Sequence, residues 1–345
     1  MVNIGIVGAT GYAGEQLLWI LHKHPEVKVK FINSHNYANI QYNKLYGNYN
    51  GFIEDKCINM EDTFKFLKEI DVLFIALPHG KAFELTKEAL KLGVRVIDLG
   101  ADFRLNSEEV YKTWYGIEHE LPHMLKDAVY GLCELNREKI KQCSLLANPG
   151  CYPTATILGL APLLKNKLIK ADSIIIDAKS GVSGSGRSAN IASLFTECNE
   201  SIKAYGAPMH RHTPEIEQEL GKLAEEEMVV SFTPHLVPMN RGILSTCYSS
   251  LNKEVTTEEF LAVYRDFYKD EYFVKVIEEL PETRWVKGSN LCHIGIRADK
   301  RTNRVLVVSA IDNLVKGAAG QAVQNMNIML GIKETTALEF LGMAP

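Results

Sequence analysis

The chain has no Cys-x-x-Cys pair, no internal repeat and no low-complexity tract, and no apolar run approaches the roughly 20 residues that span a bilayer. Its seven cysteines, at positions 57, 133, 143, 151, 198, 247 and 292, are odd in number and widely spaced. That pattern speaks against a disulfide framework and against a clustered zinc site. Neither sign of charge dominates. Lys and Arg number 38 against 42 Asp and Glu, a net charge of −4, so neither nucleic acid nor an anionic membrane is expected as a partner. No basic stretch with a cleavage site precedes the first apolar strand at Val2, so no export signal is expected and a reducing cytoplasm fits best. What remains is globular: 46% hydrophobic and 23% charged residues over 345 positions, long enough for two cores.

The most informative stretch is Ala147-Asn148-Pro149-Gly150-Cys151-Tyr152-Pro153-Thr154. Pro149-Gly150 marks a turn, Pro153 suits a first helical turn, and Thr154-Ala155-Thr156-Ile157-Leu158 opens a helical pattern. Cys151 is therefore expected where a helix begins, beside unpaired backbone N–H groups and the positive dipole end, which favour the thiolate. Lowering a thiol from about 8.5 to about 7 turns a few per cent of nucleophile at neutral pH into half. A small buried turn residue is the plainer reading of a single cysteine.

The first third has a βαβ rhythm. Asn3-Ile4-Gly5-Ile6-Val7 reads as a buried strand, then Gly8-Ala9-Thr10-Gly11-Tyr12-Ala13-Gly14, a helix over 15–21 ending near His24-Pro25, and a strand over 27–32. Glycines spaced three and three between strand and helix permit a tight turn and close approach of a pyrophosphate. Gly8, Thr10, Gly11, Tyr12 and Ala13 are thus candidate cofactor contacts. The second strand runs into Asn33-Ser34-His35, without the carboxylate that holds the ribose 2′-hydroxyl of NAD, so Ser34 is a candidate contact and NADP the expected cofactor. Strands over 71–77 and 94–99 end in Pro78-His79-Gly80 and Gly100-Ala101-Asp102-Phe103-Arg104. His79 is a candidate for the cofactor cleft. Arg104 is a candidate clamp for a carboxylate or phosphate, with pairing to Asp98 or Asp102 as the alternative.

From Asp172 the pattern changes. A strand is expected over 173–178, then a glycine-serine loop, Lys179 to Arg187, that holds the candidates Ser180, Gly181 and Arg187. Apolar stretches over 228–232, 243–249 and 304–310, with few helices between, predict a mixed or antiparallel sheet. Asn313 heads a loop running into a helix rich in small residues. A base for the cysteine is sought in His210-Arg211-His212-Thr213-Pro214-Glu215-Ile216, where Thr213 and Pro214 mark a helix start. His210 or His212 could carry the proton, with Arg211 on an anionic group. A metal on the His-x-His pair lacks an obvious third ligand at short spacing, so no metal is expected.

Five blocks in one order, Gly8 to Gly14, Asp98 to Arg104, Asn148 to Thr154, Ser180 to Arg187 and His210 to Ile216, resemble the N-acetyl-gamma-glutamyl-phosphate reductase family of arginine biosynthesis, related to aspartate-semialdehyde dehydrogenase. The resemblance implies an α/β fold: a Rossmann-type doubly wound parallel sheet over 1–148 completed by a C-terminal helix over 314–345, and an α+β catalytic and oligomerisation domain with a mixed sheet over 149–313. It implies NADPH-dependent reduction of an acyl phosphate through a Cys151 thioester, with His210 as acid/base. Asn148, Arg104, Arg187, Arg211, His212 and Glu215 stand as candidate substrate residues, and Asn313 as a nicotinamide contact. A homodimer or homotetramer follows from the same resemblance. Reduction of aspartyl or carrier-linked aminoadipyl phosphate is the alternative. Where relatives place an arginine near Ser34 this chain has His35, and Gly100 stands where serine is frequent.

Overall fold

The computed structural model describes residues 1–344. They form two compact units: Met1–Pro149 with Ala319–Leu338, and Gly150–Ala318 with the residues from Glu339 on. Among the described residues no helix is long and apolar enough to cross a membrane.

The first unit is built on a six-stranded sheet. Its strands are β1 (Val2–Val7), β2 (Val27–Asn33), β3 (Val72–Ile75), β4 (Arg95–Asp98), β5 (Val129–Tyr130) and β6 (Leu145–Ala147), in the order β2-β1-β3-β4-β6-β5. Every pairing is parallel. The near-continuous apolar character of β1, β3 and β6 reflects burial on both faces, as a parallel sheet covered by helices demands. Strand order reverses at β1, so the crevice beyond the carboxyl ends of β1 and β3 is the expected ligand site. The helix Gly320–Leu330, buried over nearly its whole length, packs on the helices Tyr12–Leu21 and Cys133–Ile140. His24 Nε2 meets Asn327 Oδ1 at 3.0 Å, and Arg137 pairs with Glu334 at 3.0 Å, which ties this late segment to the sheet's helical cover.

The second unit carries a seven-stranded mixed sheet. Its strands are β7 (Ile175–Gly181), β8 (Lys203–Ala204), β9 (Ser231–Val237), β10 (Ile243–Ser250), β11 (Val274–Val276), β12 (Cys292–Asp299) and β13 (Arg304–Ile311), ordered β11-β12-β13-β10-β7-β9-β8. The pairs β11/β12 and β7/β9 are parallel; the others are antiparallel. Behind it lies the helix Cys151–Lys165, hydrophobic all round and buried from Tyr152 to Leu164 against β10, β13 and the helix Thr213–Ala224. Pro162 cannot donate to the Leu158 carbonyl one turn earlier, and the Tyr268 hydroxyl supplies that hydrogen bond at 2.5 Å. A proline inside a buried helix is tolerated because a tyrosine satisfies the carbonyl it orphans.

Three local expectations differ from the structure. Residues 179–181 belong to β7 instead of a loop, because their pairing with β9 and β10 continues. The strand expected at 228–232 is displaced to Ser231–Val237, where alternation in burial is strict. The late helix does not run over 314–345: Val315–Ala319 is a π-helical turn, Gly320–Leu330 is helical, and left-handed Gly331 ends it. Pro345 lies outside the described residues. Strands β5, β8, β11 and β12 were not anticipated; the first three are too short to show periodicity, and in β12 Gly295, Arg297 and Asp299 interrupt the apolar run.

Candidate active site

In the first unit, the loop after β1 is shaped by glycine. Gly8 has φ +80°, and a Cβ there would stand 2.3 Å from the Ala76 carbonyl oxygen, so only glycine serves. Gly14 lets the helix sit on the loop, since its Cβ would meet the Gly8 oxygen at 2.3 Å. Gly11 is the N-cap of the helix Tyr12–Leu21 and caps nothing with a side chain. The first N–H groups of that helix have no acceptor within it, so an anion is their natural partner. This cradle fits a dinucleotide pyrophosphate. Thr10 is buried, Tyr12 is exposed and Ala13 half-buried on the first helical turn. Ser34, buried at the end of β2, meets Thr10 hydroxyl to hydroxyl at 2.7 Å. His35 next to it is exposed and shares a hydrogen bond with the Asn36 side chain. His79 follows β3, accepts from the Ala101 N–H at 3.2 Å and packs on Tyr115.

The Asp98–Arg104 loop follows β4 and is internally braced. Buried Asp98 accepts from the Gly100 N–H at 2.9 Å. Burial, then the neighbouring Asp102, pushes its carboxyl up to about 7. Asp102 accepts from the Gly80 N–H and the Tyr111 hydroxyl. Arg104 is buried, and its Nε and Nη2 donate to the Asn148 and Leu99 carbonyls at 2.8 and 2.7 Å. The Asn148 side chain accepts from Asn325 at 3.2 Å. Two of the candidate substrate residues, Arg104 and Asn148, therefore hold each other in place.

The second unit contains the cysteine. Cys151 opens its helix after Gly150, an N-cap with no side-chain bond, and is half-buried. The Gly150 N–H donates to Glu215 Oε1 at 2.7 Å, so fully buried Glu215 braces the turn that presents the thiol. Against Cys151 lies the π-helical turn Val315–Ala319. A Cβ on Gly317 would stand 2.8 Å from the Cys151 Cβ, so the backbone approaches to contact there. That turn hangs from Asp312, which is fully buried and accepts from Leu314 N at 2.8 Å, Val315 N at 3.0 Å and Gly288 N at 2.6 Å while pairing with Arg241 at 2.8 Å. A buried carboxylate of this kind persists only when paired and hydrogen-bonded.

His210 stands in an aromatic box made by Tyr205, Phe232, Tyr152 and His212, with ring centroids 5.3, 5.4, 5.7 and 5.0 Å away. Burial, then the Arg211 charge, lowers its imidazole to about 4. Its Nδ1 accepts the His212 backbone N–H at 3.1 Å, which leaves the proton of the neutral ring on Nε2. The Tyr205 hydroxyl donates to that of Tyr152, the residue next to Cys151. Arg211 and Arg187 are exposed. Ser180 and Asn313 are buried; Ser180 Oγ donates to the Gly181 carbonyl, while Asn313 accepts from the Gly242 N–H at 2.7 Å and donates to Ser183 Oγ at 2.9 Å. Among the described residues no group of three or more His, Cys, Asp or Glu is arranged to hold a metal ion.

The sequence reading missed Tyr152, Tyr205, Phe232, Asp312, Arg241 and Gly317. Asp312 and Gly317 flank the small-residue helix start already singled out, and Tyr152 lies in the cysteine block; nothing local marks Tyr205 or Phe232.

Residues 3–143 match the family model described as semialdehyde dehydrogenase, NAD binding domain, and residues 151–313 match semialdehyde dehydrogenase, dimerisation domain. Solved structures of that class share the fold. The Vibrio cholerae aspartate semialdehyde dehydrogenase II complexed with ASA superposes with TM-score 0.74 at 18% identity, over 96% of this chain and 98% of that one. The Candida albicans enzyme with NADP gives 0.71 at 18%, over 96% and 98%. A parallel sheet with a glycine loop and a mixed sheet fronted by a helix-start cysteine thus define a semialdehyde dehydrogenase-type enzyme.

Among relatives, the N-acetyl-gamma-glutamyl-phosphate reductase of Clostridium novyi is 54% identical over 99% of both chains, and that of Lachnoclostridium phytofermentans 50% identical over 100% of both. The chain belongs to the N-acetyl-gamma-glutamyl-phosphate reductase family.

Proposed function

We propose that the protein reduces N-acetyl-L-glutamyl 5-phosphate to N-acetyl-L-glutamate 5-semialdehyde with NADPH, in arginine biosynthesis, and that the reaction runs through a thioester on Cys151. The observation that carries the mechanism is a half-buried thiol at the start of a buried helix, braced on two sides. Full-length identity to reductases of that name carries the substrate.

The Cys151 sulfur attacks the acyl-phosphate carbonyl, a C–S bond forms, and the C–O bond to phosphate breaks. Helix N–H groups at Cys151 and Tyr152 have no acceptor within the helix and favour both the thiolate and negative charge that develops on the carbonyl oxygen. NADPH, when bound, supplies the hydride that takes the acyl group to the aldehyde level. Gly8, Thr10, Gly11, Tyr12, Ala13 and Ser34 would hold it, with His79, Ser180, Gly181 and Asn313 as further contacts. His210 is neutral across the working pH range, and its Nε2–H donates a hydrogen bond to the negative charge on the substrate oxygen until that charge collapses into the aldehyde carbonyl. The thiolate of Cys151 departs in the same step. Arg187, Arg211 and His212 suit the substrate's phosphate and carboxylate; Glu215 and Asn148 support the turn. The working form is a homodimer or homotetramer in the cytoplasm.

Purified protein offered N-acetylglutamyl, aspartyl and aminoadipyl phosphates with NADPH should oxidise the cofactor rapidly with the first alone. Preference for either of the others would overturn the substrate assignment.

A further inference from the structure

We propose that Tyr42 and Tyr46 are positioning residues for the cofactor: their hydroxyls hold the glycine loop from behind so that the N–H groups at the start of the following helix stay turned toward the pyrophosphate. The inference rests on the NADPH reading above and adds residues to it that lie outside the glycine motif. A loop that presents N–H groups to a ligand turns its carbonyls the other way, where each needs a donor if it is buried. Here two consecutive carbonyls receive one. The Tyr42 hydroxyl donates to the Ala9 oxygen at 2.8 Å, and the Tyr46 hydroxyl donates to the Thr10 oxygen at 2.9 Å.

Both tyrosines come from the excursion between β2 and β3, remote in sequence from the loop. Tyr42, Tyr46 and Tyr49 form one aromatic cluster, with centroids 5.2 Å apart for Tyr42 and Tyr46 and 5.3 Å for Tyr42 and Tyr49. The cluster's backbone is anchored in turn, Tyr42 N to the Asp55 carbonyl at 2.9 Å and Asn39 N to the Cys57 carbonyl at 2.7 Å. Burial raises the Tyr42 hydroxyl well above the usual tyrosine range, so it remains a donor at every working pH. Thr10 is held at both ends, its carbonyl by Tyr46 and its hydroxyl by Ser34. Glycine supplies the shape of this loop and gives it no rigidity, because a residue without Cβ loses most conformational freedom on ordering. Rigidity must then come from outside it.

Tyr49 provides an internal control. It belongs to the same cluster and is buried, yet its hydroxyl goes to Glu15 at 2.8 Å and not to the loop. The test is NADPH binding to the full-length protein without substrate, followed by the cofactor's own fluorescence, for the wild type, Tyr42→Phe, Tyr46→Phe and Tyr49→Phe. Phenylalanine keeps the ring packing and removes one hydroxyl. Each of the first two should weaken binding about five- to tenfold, the loss of one hydrogen bond to a buried carbonyl, and Tyr49→Phe by less than about twofold. In turnover, KM for NADPH should rise while kcat and KM for the acyl phosphate stay near wild type. Unchanged affinity in both Tyr42→Phe and Tyr46→Phe overturns the proposal, and so does an equal loss in Tyr49→Phe. Wild-type protein that binds no NADPH overturns the cofactor reading instead, and the role of the tyrosines with it.

Discussion

Two helices in this molecule begin on a glycine that offers no side-chain cap, Gly11 before Tyr12–Leu21 and Gly150 before Cys151–Lys165. Each leaves backbone N–H groups without an acceptor inside its own helix, and the two helix starts differ in what they are proposed to do with that feature. At the first, the chemistry is all backbone: glycines clear space, and no side chain need do more than hold the loop. At the second, the proposed chemistry is one sulfur atom, that of Cys151. Its exact seat depends on Glu215 beneath the turn and Gly317 against its Cβ. An anion cradle tolerates small errors because several N–H groups share the charge. A nucleophile does not, because a displacement of about 1 Å costs on the order of 10²-fold in rate.

That contrast can be broken at four points. Replacing Cys151 by Ala should lower turnover at least about 10⁴-fold while NADPH affinity stays at the wild-type level, since only the second helix start is altered. Titration of NADPH fluorescence beside a steady-state assay separates the two effects, and turnover by that variant would end the thioester route. Gly317→Ala places a methyl 2.8 Å from the Cys151 Cβ and must shift one backbone or the other. A fall in kcat of about 10²-fold is expected, with KM for NADPH unchanged. If kcat is untouched, the second site is as tolerant as the first.

Asp98 tests the first unit through pH. Its folded-state carboxyl sits at about 7, above the ordinary carboxylate value, so the folded chain holds a proton that the unfolded chain has released between those limits. Stability from this group is therefore full on the acid side and declines as pH rises toward 7. Asp98→Asn should flatten that decline, by roughly 2–3 kcal/mol between pH 5 and pH 8 in urea unfolding. Parallel curves for the two proteins would show that Asp98 is ionised throughout. The smallest effect belongs to His210. With its imidazole lowered to about 4, the His210 ring-proton resonances should not shift from pH 7 down to pH 5.5, where an ordinary histidine would titrate. A shift centred near 6.5 would mean that His210 becomes charged in the working range.

Much of both sites could be read before any coordinates. The glycines at 8 and 14 declare a tight strand-to-helix turn because no other residue tolerates those contacts, whereas Gly11 has room for a Cβ. Pro149-Gly150 ahead of Cys151, and Pro153 after it, mark a helix start by backbone rules that act over four residues. The His-Arg-His block was visible as charge beside a helix start. The hydrogen-bond partners of Glu215, Arg104 and Asn313 were not. A carboxylate, a guanidinium and an amide look suited to substrate or cofactor in sequence. The structure gives Glu215 to Gly150, Arg104 to Asn148 and Asn313 to Gly242 and Ser183.

The chain by itself therefore determined the two-unit α/β plan, the glycine loop and the seat of Cys151 at a helix start, because each depends on local backbone geometry or on hydrophobic periodicity. Only the tertiary structure decided what braces them: Tyr42 and Tyr46 behind the loop, Glu215 and Gly317 around the thiol, and the aromatic box of His210. Those partners meet across tens to hundreds of residues, and a hydrogen bond or a close backbone approach leaves no periodic mark in the sequence of either partner.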